Sequence, residues 1–315
     1  MDPMPWLIET NPHPKDGVVE LIEPGHWYAY KPVSETPDDE RLHVRKSVTG
    51  LLKPCFDTFD GGSIVKVGVP KWLNNEEHKY HFLCQYLSRV QGFDNNAIGR
   101  EIIKMWNATG AAAADEGTAM HERLELYIQG QLPVPDPEKP PPLGVAAYLG
   151  MLEWFYPQME LKPWRCEFPV VLVVDGLPII AGTIDYIMID RNGRYWLFDW
   201  KRVNPKKKGL LGKRKLNTFF KDEKAKGAFS EWDSDSYHQY SAQLLVYKWI
   251  IEHGGYNMQI SGCHIVQMHD DLEKAHVVEV AEMEESVDTC MLAEIALAKE
   301  EAATAAEKHQ AMLLE

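Results

Sequence analysis

Apolar positions along the chain fall into two regimes, helical spacing in the first half and strand-like runs in the centre. Residues 78–93 (HKYHFLCQYLSRVQGF) and 97–110 (AIGREIIKMWNATG) carry apolar side chains every three to four positions. Residues 117–130 (GTAMHERLELYIQG) continue the pattern, with Met120, Leu124 and Tyr127 or Ile128 on one side. The stretch PVPDPEKPPPLG breaks it, and GVAAYLGMLEWFYPQM resumes it as a further helix. Upstream, to about residue 75, the pattern is mixed and includes the Pro- and acid-rich PVSETPDDE.

Three strands follow. WRCEFPVVLVVD meets LPIIAGTIDYIMID across Asp175-Gly176, and that segment meets RYWLFDWKR across Asn192-Gly193, both strong hairpin signals that predict an antiparallel trio. SYHQYSAQLLVYKWIIEHGG then predicts a helix ended by glycines, and MQISGCHIVQMH and AHVVEVA predict two more strands. From Glu282 to Glu315 the Ala- and Glu-rich tail predicts one long terminal helix. No internal repeat is visible. This order predicts an α/β fold with a central mixed sheet flanked by helices, a helical N-terminal half and a long C-terminal helix.

Composition narrows the class. At 315 residues, 45% hydrophobic and 25% charged, the chain reads as a soluble globular protein able to bury a core. No basic leader precedes an apolar core at the start, and no apolar run approaches the roughly 18 residues of a membrane span. An intracellular protein, cytoplasmic or nuclear and without membrane attachment, is expected. Five scattered cysteines (Cys55, Cys84, Cys166, Cys263, Cys290) without a C-x-x-C pair signal core thiols rather than disulfides, zinc or an iron–sulfur cluster.

The formal charge of −14 argues against a polyanionic partner until it is mapped. Residues 201–226 hold eleven of the 33 Lys and Arg against two acids, a local +9 that leaves −23 elsewhere. Lys206, Lys207, Lys208, Lys213, Arg214 and Lys215 form the dense part, a candidate surface for a phosphate backbone, with Phe219 and Phe220 available to stack on unpaired bases. PKKKGLLGKRK also fits a nuclear-localisation pattern, and a solvated loop is the plainest alternative.

Two acids interrupt apolar strands. Asp185 lies within IIAGTIDYIMID and Asp199 within YWLFDWKR, and the Asn-Gly turn folds one strand onto the other. Two buried carboxylates in low dielectric repel unless a cation lies between them, which suits a hard divalent ion, Mg²⁺ or Mn²⁺. Lys201 shares the face of Asp199 by the two-residue period and is placed to orient or deprotonate a water, or to offset charge on a phosphate. A plain Asp199–Lys201 ion pair, with Asp185 facing solvent, is the competing reading.

Taken together, Gly117-Thr118-Ala119-Met120-His121, Gly182-Thr183-Ile184-Asp185, Asp199-Trp200-Lys201 and Gln243-x-x-x-Tyr247 resemble, in that order, the RecB-like branch of the PD-(D/E)xK nuclease superfamily. The likeness is to the group of the mitochondrial genome maintenance exonuclease and its phage and viral relatives. MWNATGAAAADEGTAMHERLELYIQG is similar to that group's helix entry, and KSVTGLL to its N-terminal Ser-Val-Thr segment. The resemblance covers about residues 45–270.

It implies a restriction-endonuclease-like core over 46–281 with a basic insertion at 202–236, an N-terminal extension over 1–45 and a C-terminal helix over 282–315. It implies metal ligation by His121, Asp185, Asp199 and the Trp200 carbonyl, with Lys201 catalytic and Gln243 and Tyr247 bracing the site from one helix face. Glu125, one turn after His121, is expected to orient its ring. Glu167, in the first strand, is a candidate extra acid near the site, with a hairpin-edge residue the favoured reading, and His238 and Gln239 are too generic to assign. Imidazole ligation admits Mn²⁺ beside Mg²⁺. The four-cysteine cluster of some relatives has no counterpart here. The implied activity is metal-dependent hydrolysis of DNA, from free single-stranded ends; a structure-specific endonuclease or nickase of a virus or mobile element, or a catalytically silent DNA-binding module, are the alternatives.

Overall fold

A computed structural model describes residues 6–25, 27–32, 41–132, 144–203, 223–269, 272 and 274–313. In chain order the described elements are α1 (Leu7–Thr10), β1 (Val19–Ile22), β2 (Trp27–Tyr30), β3 (Leu42–His43), β4 (Lys46–Ser47), α2 (Val48–Leu52), α3 (Gly61–Leu73), α4 (His81–Arg89) and α5 (Asn95–Ile128). They continue with α6 (Val145–Met159), β5 (Lys162–Val174), β6 (Leu177–Ile189), β7 (Tyr195–Arg202), α7 (Ser236–His253), β8 (Ile260–Met268), β9 (His276–Glu279) and α8 (Glu284–Leu313).

The fold is α/β with a mixed sheet. β5, β6 and β7 form the antiparallel trio that the Asp-Gly and Asn-Gly turns predict, β8 joins β7 in parallel, and β9 closes the edge antiparallel to β8. β6 is flanked on one edge along its length by β5. Its other edge is shared: β4 pairs in parallel with Ile180 and Ala181, while β7 pairs with Tyr186 to Ile189. Residues 182–185 therefore lie where β4 and β7 diverge, with no strand paired on that side among the described residues. Such a split in a sheet is a natural place for a site.

Each face of the sheet carries its own core. Leu197, Ile187 and Ile265 pack with Leu244, Tyr247 and Ile251 of α7 and Met291 of α8. On the opposite face Tyr186, Phe198, Trp200 and Val266 pack with Met120 and Leu124 of α5 and Tyr148 and Met151 of α6. The alternation of β7, with Leu197, Asp199 and Lys201 on the α7 face and Phe198 and Trp200 on the other, follows from the two-residue pleat.

Two compact units divide the chain differently from the expected 1–45, 46–281 and 282–315. One comprises residues 1–57 and 120–315, the other 58–119. The physical reason is burial at both ends. Val18, Val19 and Tyr28 share a core with Val171 and Ala181, and Arg165 pairs with Asp16 at 2.7 Å, so the N-terminal segment and its three-stranded sheet belong to the first unit. Met283, Val287, Met291 and Ala298 bury α8 in the main core, and its Glu294 pairs with Arg45 and, at 2.8 Å, with Lys46. Residues 58–119 hold a separate core of Val65, Val69, Cys84, Leu87, Ile98 and Ile102. The two helical stretches at 97–110 and 117–130 form one 34-residue helix, because the alanines between Gly110 and Gly117 favour its continuation. No helix among the described residues is long and apolar enough to cross a membrane.

His264, on β8, stacks between Trp196 and Phe198 at ring separations of 5.7 and 5.5 Å. Burial pushes its imidazole down to about 4 from 6.5, against a smaller opposing pull from Glu279. The unfolded chain binds a proton below about 6.5 that the folded chain refuses, so stability present at neutral pH is lost as pH falls toward about 4. At ~1.4 kcal/mol per unit the full loss is about 3 kcal/mol. Urea unfolding across that range should show this extra loss in the wild type and not in His264→Phe; equal slopes for the two proteins would remove His264 as its source.

Candidate active site

The site is built where the sheet splits. From the Asp175-Gly176 turn β5 and β6 pair in simple register, Val174 with Leu177 and Val173 with Pro178, and then a bulge shifts the ladder so that Leu172 faces Ile180. Because of that one-residue shift, Glu167 falls opposite Asp185, between the pairs Cys166–Tyr186 and Phe168–Ile184. Glu167 has φ +45°, a left-handed backbone that a non-glycine residue adopts at a cost of roughly 1–3 kcal/mol. That conformation turns its carboxylate toward Asp185.

Met120 and Leu124 anchor the last turns of α5 in the core, and His121 between them reaches the same point. Its Nε2 donates to the Trp200 carbonyl at 3.1 Å, which leaves Nδ1 facing Asp185 Oδ2 at 3.7 Å and Glu167 Oε1 at 3.9 Å. The ligand-type atoms of His121, Glu167 and Asp185 all lie within 4.8 Å of one another. Atoms that share one small ion at ~2.1 Å lie about 3–4 Å apart, so the set fits a divalent cation with minor adjustment. The Trp200 carbonyl serves here as the acceptor that fixes the imidazole, an outer-shell arrangement common for ligating histidines. Glu125 does not hold the ring: it accepts from Gln129 Nε2 at 2.9 Å.

Asp185 also accepts from the Trp200 backbone N–H at 2.8 Å, closing the gap where the β6–β7 ladder stops at Tyr186–Phe198. One residue back, Asp199 is buried and ion-paired with Lys201 Nζ at 2.7 Å. The ion-pair half of the competing sequence reading is therefore present, while Asp185 is only 14% exposed and faces His121 rather than open solvent. Lys201 Nζ lies 4.5 Å from the centroid of the Tyr240 ring. On β8 its ladder partner, Gln267, is fully buried, with neither amide atom hydrogen-bonded among the described residues.

Gln243 Nε2 donates to Tyr247 Oη at 3.2 Å, the i,i+4 pair expected on one face of α7. Tyr247 lies directly on Gly182: a Cβ there would meet its ring at 2.5 Å and Val48 at 3.1 Å. The glycine of the Gly-Thr-Ile-Asp motif is thus the place where α7 closes on the strand bearing Asp185. Thr183 in turn meets the Tyr28 hydroxyl at 3.0 Å. Gly117 has open space around it, and nothing in the structure requires a glycine there.

Electrostatics follow from the crowding. Burial raises Asp185 and pushes Asp199 up to about 6, with Lys201 and His121 pulling both back. Burial disfavours charge on His121, but the nearby Glu167 and Asp185 carboxylates prevail and raise it to about 9. Burial likewise disfavours charge on Lys201, and Asp199 and Asp185 outweigh it, so the ammonium is held protonated.

Tyr240, Gln267 and Tyr28 are neighbours that sequence reasoning did not raise, and Glu167 is one that it raised as an extra acid but favoured for a hairpin edge. The signal for Glu167 was an acid in an apolar strand, as for Asp185, but simple counting from the turn pairs it one residue away, on the opposite face. Lys206, Lys207, Lys208, Lys213, Arg214 and Lys215, with Phe219 and Phe220, lie outside the described residues. A second group, Asp233, Asp235 and His238, has ligand-type atoms equally close together. Asp235 Oδ1 accepts from His238 N at 2.9 Å as the N-cap of α7, which accounts for its position.

No protein-family model matches the chain, and no curated protein matches it either. Among solved structures, one described as "Crystal structure of SSO0001" aligns over 75% of this chain and 84% of that one, at 13% identity and a TM-score of 0.27, too slight a likeness to assign a fold.

Gly182→Ala should force Tyr247 off the strand and lower stability by about 1–3 kcal/mol, the usual penalty of overpacking a core. A lower urea midpoint at unchanged m-value is the expected result; an unshifted midpoint would show that the α7 contact yields freely.

Proposed function

We propose that this chain is a divalent-metal-dependent deoxyribonuclease of the PD-(D/E)xK kind, with a restriction-endonuclease-like core, acting as an exonuclease on single-stranded DNA ends. The observation that carries the reading is the convergence of His121 Nδ1, Glu167 and Asp185 beside the Asp199–Lys201 pair, where β6 passes between its pairing with β4 and its pairing with β7. A set of one imidazole and carboxylates suits Mg²⁺ or Mn²⁺. The ion, when bound there, supplies a Lewis acid for a phosphoryl oxygen and an acidified water.

The chain's own residues do the rest. Asp185 and Glu167 present oxygens from adjacent strands, and the Trp200 carbonyl keeps Nε2 of His121 occupied so that Nδ1 faces them. The Lys201 ammonium offsets charge that builds on the phosphate during attack. Gln243 and Tyr247 brace Asp185 from α7 through the Gly182 contact. End preference rests on the motif resemblance alone.

End-labelled single-stranded, duplex and covalently closed circular DNA incubated with and without Mg²⁺ or Mn²⁺ tests the proposal. Linear single strands should be degraded only with metal and circles spared; cleaved circles would indicate an endonuclease instead. Asp185→Asn, Glu167→Gln and Lys201→Ala should each lower the rate by at least about 100-fold while DNA binding persists, as removal of a ligand or charge-stabilising group does. Wild-type rates in all three would refute the catalytic assignment.

A further inference from the structure

Lys201 stands between two unlike partners. Asp199, buried and on the same strand, holds its Nζ at 2.7 Å, and the Tyr240 ring of α7 covers it at 4.5 Å from the centroid. Tyr240 is half-buried, packs at the edge of the main core, and precedes Gln243 by one turn and Tyr247 by two on the same helix. Tyr240, Gln243 and Tyr247 thus form one stripe at i, i+3 and i+7, of which the motif resemblance uses only the last two.

An ammonium has three N–H donors and a long flexible stem. Asp199 alone fixes one donor and leaves the head free to swing about that bond. The face of an aromatic ring attracts a cation through its quadrupole, without accepting a full hydrogen bond or neutralising it. A carboxylate on one side and a ring on the other restrict Nζ to a narrow arc and leave a donor for a phosphate oxygen.

We propose that Tyr240 is a positioning residue that holds the Lys201 ammonium in place through its ring face; the inference rests on the nuclease reading above. Its hydroxyl has no part in this role.

Single-turnover cleavage of an end-labelled single strand, with Mg²⁺ or Mn²⁺ saturating, separates the possibilities. Tyr240→Phe should keep the rate within about threefold and Tyr240→Leu should lower it about tenfold, the scale of one partly desolvated cation–π contact. DNA affinity should stay within about twofold in both, because the contact is to Lys201 and not to the strand. To keep the fold constant, phenylalanine and its mono-, di- and trifluoro derivatives at position 240 should show a stepwise fall in rate as the ring quadrupole weakens. A flat fluorine series, a Tyr240→Phe as slow as Tyr240→Leu, or a loss confined to DNA affinity would each overturn the proposal. Asp185→Asn in the same assay separates the two levels. If it is inactive while the position-240 series is flat, the positioning role alone fails; if the wild type itself does not cleave with either metal, the nuclease reading fails.

Discussion

Two largely buried carboxylates, Asp185 and Asp199, and a third, Glu167, at the rim crowd into one corner of the sheet, and the structure around them is organised by the need to compensate that charge. Left unpaired in low dielectric, such a group costs several kcal/mol per ion. Among the described residues His121 and Lys201 answer it from within the site, and burial opposes charge on both. That both are nonetheless held protonated measures the negative potential there. A divalent cation of the proposed kind would replace the proton of His121 in the role of counter-charge.

The architecture delivers these groups from four directions. β5 brings Glu167 through a bulge and a left-handed residue, and β6 brings Asp185 at the point where β4 and β7 part. α5 brings His121 on one face of the sheet, while α7 covers Lys201 and Gly182 on the other. Of the left-handed non-glycine residues among those described, Glu167 is the one at the proposed site, where such backbone strain is offset by packing elsewhere.

The chain ends serve as buttresses. Tyr28 of β2 touches Thr183, and Glu294 of α8 clamps Arg45 and Lys46 beside β4. Both contacts act on strands that bound the gap in the β6 edge. Lys201, in turn, is held as a cation by Asp199 and Asp185 against the cost of its burial.

What the amino-acid order determined by itself was local and repetitive. The Asp-Gly and Asn-Gly turns specified the β5–β6–β7 trio, the helical periods located α4 to α7, and two acids in apolar strands marked Asp185 and Asp199 as needing a cation. The i,i+4 spacing put Gln243 beside Tyr247. Tertiary structure alone decided the membership of Glu167, because one bulged residue changes which face a side chain occupies, and pattern counting carries no record of a bulge. It also decided that Tyr240 covers Lys201, that the N-terminal segment packs on β5 and β6 while α8 enters the main core, and that residues 58–119 form their own unit. Those outcomes depend on contacts between segments far apart in sequence, whose energies come from burial and charge summed over the whole fold and are written in no local stretch.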